Sequence, residues 1–224
     1  MEHEASPWVY FGMAMLVAAV LALVSILSTR RLQKIPASRL QNLLELSVSA
    51  LNNYAVSIIG HGGEKYTPFI GTLFIYILFM NLLGLIPALK SPTSNLTITA
   101  SLAIVVFIYY NYAGIRTTGI KAWFKHLLGE PIWLCWLMFP IHVIGELARP
   151  LSLAIRLYGN IFGEETVIAI LAAMSLVIIP HVIAVPYQLP MMLFGVFTAF
   201  VQALVFSSLT AIYIGLAAAG HEEH

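Results

Sequence analysis

Ionisable and strongly polar side chains lie inside the long apolar stretch that follows Pro131. Placing an arginine or a glutamate at the centre of a bilayer costs about 2.5–3.5 kcal/mol even on a lenient insertion scale. Such residues therefore usually face a protein interface or a wet cavity, and they mark ion pathways. The residues concerned are His142, Glu146, Arg149, Arg156, Asn160, Glu164 and Glu165.

Arg156 lies on a face of small and polar side chains if this segment is helical. At 100° per residue, Arg149 and Gly163 lie within about 20° of Arg156, and Ser152 lies within about 40°. Gly159 and Gly163 have the G-x-x-x-G spacing, which lets another helix approach closely. The pattern predicts a helix face that presents Arg156 to a partner.

Glu165 points to the opposite side of the same helix. It follows Arg156 by nine residues, or about 180° of rotation, whereas Glu146 and Glu164 lie at about 80°. Arginine is effectively never deprotonated, so Arg156 can repel cations and attract a carboxylate but cannot carry a proton. A desolvated Glu165 can bind and release protons near physiological pH. The two residues suggest a fixed gate and a proton relay.

The last apolar stretch adds a matching strip of residues at helical spacing. Gln202 is its strongest hydrogen-bonding member within the membrane. The strip consists of Gly195, Thr198, Gln202, Phe206, Leu209 and Tyr213.

Composition identifies the kind of protein that must position these residues. Of 224 residues, 60% are hydrophobic and 9% are charged, against about 45–50% and about 25% in soluble domains. A net charge of +1 gives no field that would attract nucleic acid. The single cysteine, Cys135, excludes an internal disulfide and a multi-cysteine metal site. We expect a single all-α integral membrane domain over residues 1–224, without a cofactor or metal.

The first half of the chain predicts three membrane helices and one surface helix. A transmembrane helix is expected over residues 8–28, and the basic residues that follow place its end in the cytoplasm and the N-terminus outside. Residues 40–59 form an amphipathic helix on the membrane surface. Further transmembrane helices are expected over residues 69–89 and 96–115.

After Pro131, hydropathy alone leaves two alternatives. Residues 132–178 are too many for one perpendicular crossing, so they form either a long tilted or membrane-parallel arrangement or two shorter spans. Residues 189–219 form the last membrane helix.

The segment from Arg149 to Glu165, RPLSLAIRLYGNIFGEE, resembles the most characteristic stretch of subunit a of F-type ATP synthases. In that family a membrane arginine precedes a Leu-aromatic-Gly-Asn run, and a glutamate lies nine positions later. Phe79 to Pro87 (FMNLLGLIP), the turn Pro92 to Asn95, and Gln202 to Tyr213 are also similar to that family. The resemblance covers most of the chain from Arg30 onward.

The resemblance implies that the chain is the non-catalytic, ion-conducting stator of a rotary motor. Arg156 would separate two half-channels that pass protons to and from carboxylates of a c-subunit ring. Glu165 would belong to the outer half-channel, Asn160 and Gln202 would neighbour the arginine, and Tyr213 would support it. The implied partners are the c ring, the b subunits of the peripheral stalk, other ATP synthase subunits and the lipid bilayer. The family also implies a tilted C-terminal helix hairpin.

The chain departs from many relatives at several positions. His142 stands where many relatives place an acid, and Glu146 lies one helical turn later on the same face, so the acid has moved along the channel. Gly195 stands where some members have a histidine paired with the glutamate. Glu164 is an adjacent candidate, with a solvated turn position as the alternative.

Three alternative functions stay open at this point. A sodium-translocating subunit of the same kind would share these motifs, since residues outside this chain largely decide the ion. A secondary transporter should show internal repeats, and no second copy of the Arg156 segment is present. A purely structural scaffold should avoid an expensive membrane arginine.

The lack of a transit-type segment favours a bacterial inner membrane.

Overall fold

The computed structural model describes residues 7–30, 39–60, 62–86, 89–120, 123, 135–178 and 188–219. Within these ranges every long element is an α-helix and no strand occurs, which confirms the predicted all-α fold class. Short 3₁₀ turns occupy Gly63–Tyr66 and Pro92–Ser94. The helices are α1 (Pro7–Thr29), α2 (Arg39–Ile59), α3 (Thr67–Leu83), α4 (Leu96–Thr118), α5 (Cys135–Ile178) and α6 (Gln188–Ala219).

Five of these helices are long and apolar enough to cross a membrane, so the chain is a multi-pass membrane protein. The spans lie in α1, α3 with its preceding turn, α4, α5 and α6. The remaining helix, α2, leaves Leu43 and Leu46 exposed. It packs on the bundle through polar contacts: the Thr67 hydroxyl donates to Asn52 at 2.9 Å, and the hydroxyls of Tyr54 and Ser208 are 2.5 Å apart.

The region after Pro131 contains one long helix in place of two shorter spans. At 1.5 Å per residue the 44 residues of α5 extend for about 66 Å, roughly twice the thickness of a hydrocarbon core. A helix of that length exceeds one perpendicular crossing, so it either tilts steeply or extends beyond the hydrocarbon core. Pro140 and Pro150 lie inside it, as membrane helices tolerate where neighbouring groups satisfy the freed backbone.

The connection between α3 and α4 folds back onto α3. The helix ends at Leu83, earlier than the predicted residue 89, and Leu85 and Ile86 continue as tight turns. The Ser91 hydroxyl donates to the Met80 carbonyl at 3.0 Å, which ties the connection to the last turn of α3. Asn95 then caps α4 by accepting a hydrogen bond from the Thr97 N–H at 2.9 Å.

Helices α3, α4, α5 and α6 enclose the core. α4 lies against both α5 and α6, and α3 lies against α6. Gly114 of α4 allows close approach to α6, because a Cβ placed there would lie 3.2 Å from the Ala217 Cβ. The largest fully buried apolar side chains are Tyr110, Phe206, Ile70, Ile77, Met80, Leu153, Leu157 and Ile214.

Candidate functional site

Helices α5 and α6 pair antiparallel in a fixed register. Asn160 contacts Gln202, Glu164 contacts Thr198, and Arg149 contacts Tyr213, and in every pair the two residue numbers add to 362. The same register puts the backbone of Phe206 at the level of Arg156 along the helix pair. Phe206 is 1% exposed, and its ring offers no hydrogen-bond acceptor to a guanidinium.

Arg156 faces away from the helix bundle. Its side chain is exposed, whereas Leu153 and Leu157 beside it are buried in the core. No hydrogen bond or ion pair joins Arg156 to any residue within the described ranges. Because an uncompensated charge in a membrane is costly, the arrangement requires a partner or water on this side of α5.

Small residues surround Arg156 on the open side of α5. Among the described residues beyond their own helical turn, no atom lies within 4 Å of the position that a Cβ would take at Gly145, Gly159 or Gly163, and Ser152 is exposed. We call the face formed by Gly145, Ser152, Arg156, Gly159 and Gly163 the arginine face. Apart from Arg156 it carries no large side chain, so a second helix can approach it closely.

Asn160 and Gln202 join α5 to α6 one turn beyond Arg156. The Asn160 amide nitrogen donates to the Gln202 Oε1 at 2.6 Å. Gln202 is 4% exposed, and its Nε2 is the buried side-chain nitrogen or oxygen that lacks a hydrogen-bond partner within the described part of the chain. A buried unsatisfied donor is unfavourable, so this amide is available to an acceptor such as a water molecule.

A group of polar side chains surrounds the two adjacent glutamates near the α3–α4 connection. We call Ser91, Glu164, Glu165 and Thr198 the turn cluster. Glu165 Oε1 accepts a hydrogen bond from the Ser91 N–H at 3.2 Å. The Thr198 hydroxyl donates to Glu164 Oε2 at 2.5 Å. The two carboxylates therefore face different neighbours, one the connection and the other α6.

Buried hydroxyl and amide groups extend the turn cluster into the core. The Ser91 and Thr93 hydroxyls are 2.6 Å apart, and Thr93 donates to Asn81 Oδ1 at 2.8 Å. Asn81 in turn donates to the Ala199 carbonyl of α6 at 3.4 Å. Sequence reasoning gave these three residues no role. Their signal was the FMNLLGLIP and Pro92–Asn95 stretches, which contain Asn81 and Thr93, with Ser91 directly before the second stretch.

Two glycines provide the space that the glutamates occupy. A Cβ at Gly195 would overlap the Glu164 carboxylate, and a Cβ at Gly84 would lie 2.6 Å from the Ser91 Cβ and 3.2 Å from Glu165 Oε1. The clash at Gly84 also involves the Ser91 backbone, at 3.4 Å from its Cα. A larger residue at Gly84 must therefore move the connection itself.

Gly84→Ala is expected to displace Ser91 and to destabilise the folded protein by about 1–3 kcal/mol, the usual effect of overpacking. Gly12→Ala is the matched control, because no described residue beyond its own helical turn lies within 4 Å of a Cβ there. Thermal unfolding in detergent measures both. Equal stability of the two variants would contradict the observed packing at Gly84.

A second polar group lies toward the other end of α5. We call Tyr110, Glu146, Arg149 and Tyr213 the tyrosine cluster. The Tyr110 hydroxyl donates to Glu146 Oε2 at 2.7 Å, and Arg149 donates to Glu146 Oε1 at 2.5 Å. The Arg149 guanidinium lies 5.4 Å from the centre of the Tyr213 ring. The cluster joins α4, α5 and α6.

The predicted site residues fall into three levels along α5. Arg156 lies about 15 Å along the helix axis from Glu146 and about 14 Å from Glu165, at 1.5 Å per residue. The half-buried His142 lies one turn beyond Glu146. Tyr213, expected to support Arg156, contacts Arg149 two turns away along α5. Asn160 lies one helical turn after Arg156 on α5 and contacts Gln202 of α6, and neither of the two amides is bonded to Arg156.

Comparisons with known proteins give a consistent result. The family model described as ATP synthase A chain matches residues 11–215. A protein from Protochlamydia amoebophila named ATP synthase subunit a is 44% identical over 215 residues, which cover 92% of this chain and 79% of the relative. ATP synthase subunit a 1 of Syntrophotalea carbinolica is 43% identical over 90% of this chain and 82% of its own length. ATP synthase subunit a of Desulfosudis oleivorans is 39% identical over 100% of this chain and 92% of its own length.

Proposed function

This chain belongs to the ATP synthase A chain family, and from that premise we propose that it is the stationary, ion-translocating subunit a of a rotary ATP synthase. It conducts ions and does not itself make ATP. Its partners are the other subunits of the membrane sector and the peripheral stalk, namely the c ring and the b subunits. The translocated ion is the proton.

The observation that carries this proposal is the order of charged groups along α5. The tyrosine cluster and the turn cluster lie on either side of Arg156, and both turn inward to other helices. Arg156 alone among these groups faces outward without a partner within the described residues. One fixed positive charge thus stands between two polar paths. An ion that follows one path must leave this chain at Arg156 before it can enter the other path.

Arg156 is the group that meets the ring. A guanidinium keeps its charge at all working pH values, so it attracts an ionised ring carboxylate and excludes a free cation from passing directly between the paths. The small residues of the arginine face let a ring helix approach closely. A carboxylate that arrives at Arg156 releases its proton to one path and takes another from the opposite path after rotation.

The two paths open to opposite sides of the membrane. The basic residues after α1 and at the end of α4, including Arg30 and Arg116, place those ends in the cytoplasm. The turn cluster then faces the outer side, with Glu165 and Glu164 as its proton-exchanging groups. His142 and Glu146 line the inner path. The chain lies in the inner membrane of a bacterial cell, with its N-terminus on the outer side.

Coupling by rotation follows from the energy of one ion. A charge that crosses the membrane gains about 2.3 kcal/mol per 100 mV, which is small compared with the work of ATP synthesis. A rotor that sums several crossings therefore suits a chain with a single gate.

Cysteine cross-linking in the assembled complex tests which face of α5 meets the ring. In a Cys135→Ser background, Ser152→Cys on the arginine face should form a disulfide with a cysteine placed on the outer ring helix. Leu147→Cys is the matched control: it is also exposed on α5 but points about 180° away from Arg156. Cross-linking of Leu147→Cys in preference to Ser152→Cys would contradict the proposed orientation.

A further inference from the structure

Two arginines lie on nearly the same side of α5, but their surroundings differ. Arg149 is within about 20° of Arg156 and about 10.5 Å away along the axis. Arg156 is exposed and has no partner within the described residues. The Arg149 side chain retains 31% exposure and is held by Glu146 and by the Tyr213 ring.

Glu146 holds Arg149 because its own carboxylate is fixed from both sides. Arg149 occupies Oε1, and the Tyr110 hydroxyl occupies Oε2. Tyr110 is 2% exposed, and its ring packs against Phe107 at 5.5 Å and Tyr213 at 5.9 Å between centroids. A buried ring in such contacts has little freedom, so its hydroxyl sets where the carboxylate lies.

The Tyr213 ring draws Arg149 toward α6. The guanidinium carbon lies 5.4 Å from the ring centroid, within the range of a cation–π contact. Glu146 therefore neutralises the charge of Arg149 while Tyr213 binds it on the α6 side. Both contacts keep the guanidinium away from the arginine face.

We infer that Tyr110 and Glu146 form a charge-neutralising support for Arg149, so that Arg156 is the single uncompensated arginine that α5 presents to the ring. Glu146 lines the inner path as a fixed counter-charge, and Tyr110 is a positioning residue that acts through it. This inference rests on the proposed function, because it assigns a reason for keeping the second arginine neutral. Nothing in it requires Glu146 to carry a proton.

Release of Arg149 would give the ring carboxylates a second site of attraction. The charge of a released Arg149 lies about 10.5 Å from Arg156 along the helix axis. At an effective dielectric constant of about 20, its attraction for a carboxylate at Arg156 slows the departure of that carboxylate about tenfold. The ring would pause at Arg149, about two turns of α5 from Arg156. Passive leak would stay unchanged, because Arg156 itself is intact.

Suppression by a second substitution tests the inference in the assembled complex in sealed vesicles. Glu146→Gln is expected to lower ATP-driven proton uptake about tenfold. Adding Arg149→Gln should return most of the uptake, because the freed charge is removed. Tyr110→Phe should cause a smaller loss, and Arg149→Gln should relieve that loss as well.

The double variant separates this role from the two competing ones. If Glu146 carries protons, Glu146→Gln with Arg149→Gln stays as slow as Glu146→Gln alone, and the inference is overturned. If the cluster only stabilises the helix packing, the double variant loses a further contact and is no faster than the single variant, which also overturns it. The proposed function is tested separately by Arg156→Ala and Glu165→Gln, since neither residue belongs to the tyrosine cluster.

Discussion

Arg156→Ala is expected to abolish ATP-driven proton uptake while the complex remains assembled. Arg156 is exposed on the arginine face and makes no bond to a described residue, so its removal leaves the packing of α5 intact. Loss of a fixed charge that stabilises a transient ionic state typically lowers a rate by about 10²–10³-fold. Uptake should therefore fall to background in vesicles that contain the variant complex.

Arg156→Lys is the informative companion to that variant. Lysine keeps the positive charge but lacks the planar, bidentate fork of arginine and can lose its proton when buried. We expect the lysine variant to assemble normally and to conduct far less than the unmodified chain. Uptake near the original rate in Arg156→Ala, with assembly confirmed by co-purification of the ring, would show that Arg156 has a structural role only.

Glu165→Gln is expected to lower coupled proton transport about a hundredfold or more, within the range usual for losing a positioned proton-transfer group. The substitution is a narrow one, because the amide oxygen still accepts the hydrogen bond that the Ser91 N–H donates to Glu165 at 3.2 Å. The variant should therefore fold and assemble as before. What it loses is the ability to bind and release a proton.

Two further variants control for the effect at Glu165. Glu165→Asp keeps a titratable carboxylate and should retain part of the activity. Glu64→Gln changes an exposed glutamate in the Gly63–Tyr66 turn, away from α5, and should conduct like the unmodified chain. An equal loss in Glu64→Gln, or full activity in Glu165→Gln, would be incompatible with a relay at Glu165.

The membrane helices could be predicted from the sequence because the lipid bilayer imposes one simple requirement on a spanning segment. Every backbone polar group in the hydrocarbon must be satisfied within the span, so long apolar runs become helices, as in α1 and α4. The form of the region after Pro131 could not be predicted in the same way. Prolines at 140 and 150 allow a break, yet the structure has one continuous helix that packs against α4 and α6.

The candidate site was predictable where a single helix determines it. Rotation along α5 places Arg156 and Glu165 on different sides, and the structure has Arg156 exposed and Glu165 against the Ser91 backbone. Contacts between helices could not be predicted from the sequence, because they depend on the relative register of two elements. Tyr110 was missed for that reason: nothing in its own helix indicates that its hydroxyl meets Glu146.

The surroundings of the glycines could not be predicted from the sequence either. The chain has 15 of them, and their spacing alone does not distinguish open positions from crowded ones. Gly84 and Gly195 contact the groups around Glu165 and Glu164, whereas Gly159 and Gly163 face open space beside Arg156. The first pair makes room for carboxylates within the chain, and the second pair leaves room for a partner outside it.

Passive proton flux tests most directly whether Arg156 separates two ion paths. It is measured under an imposed membrane potential in vesicles that contain the assembled complex, with Arg156→Ala compared with the unmodified chain. We expect the variant to leak without ATP and to lose coupled uptake, because a fixed positive charge no longer separates the two paths. A variant that keeps coupled uptake and shows no added leak would contradict the claim that Arg156 separates two ion paths.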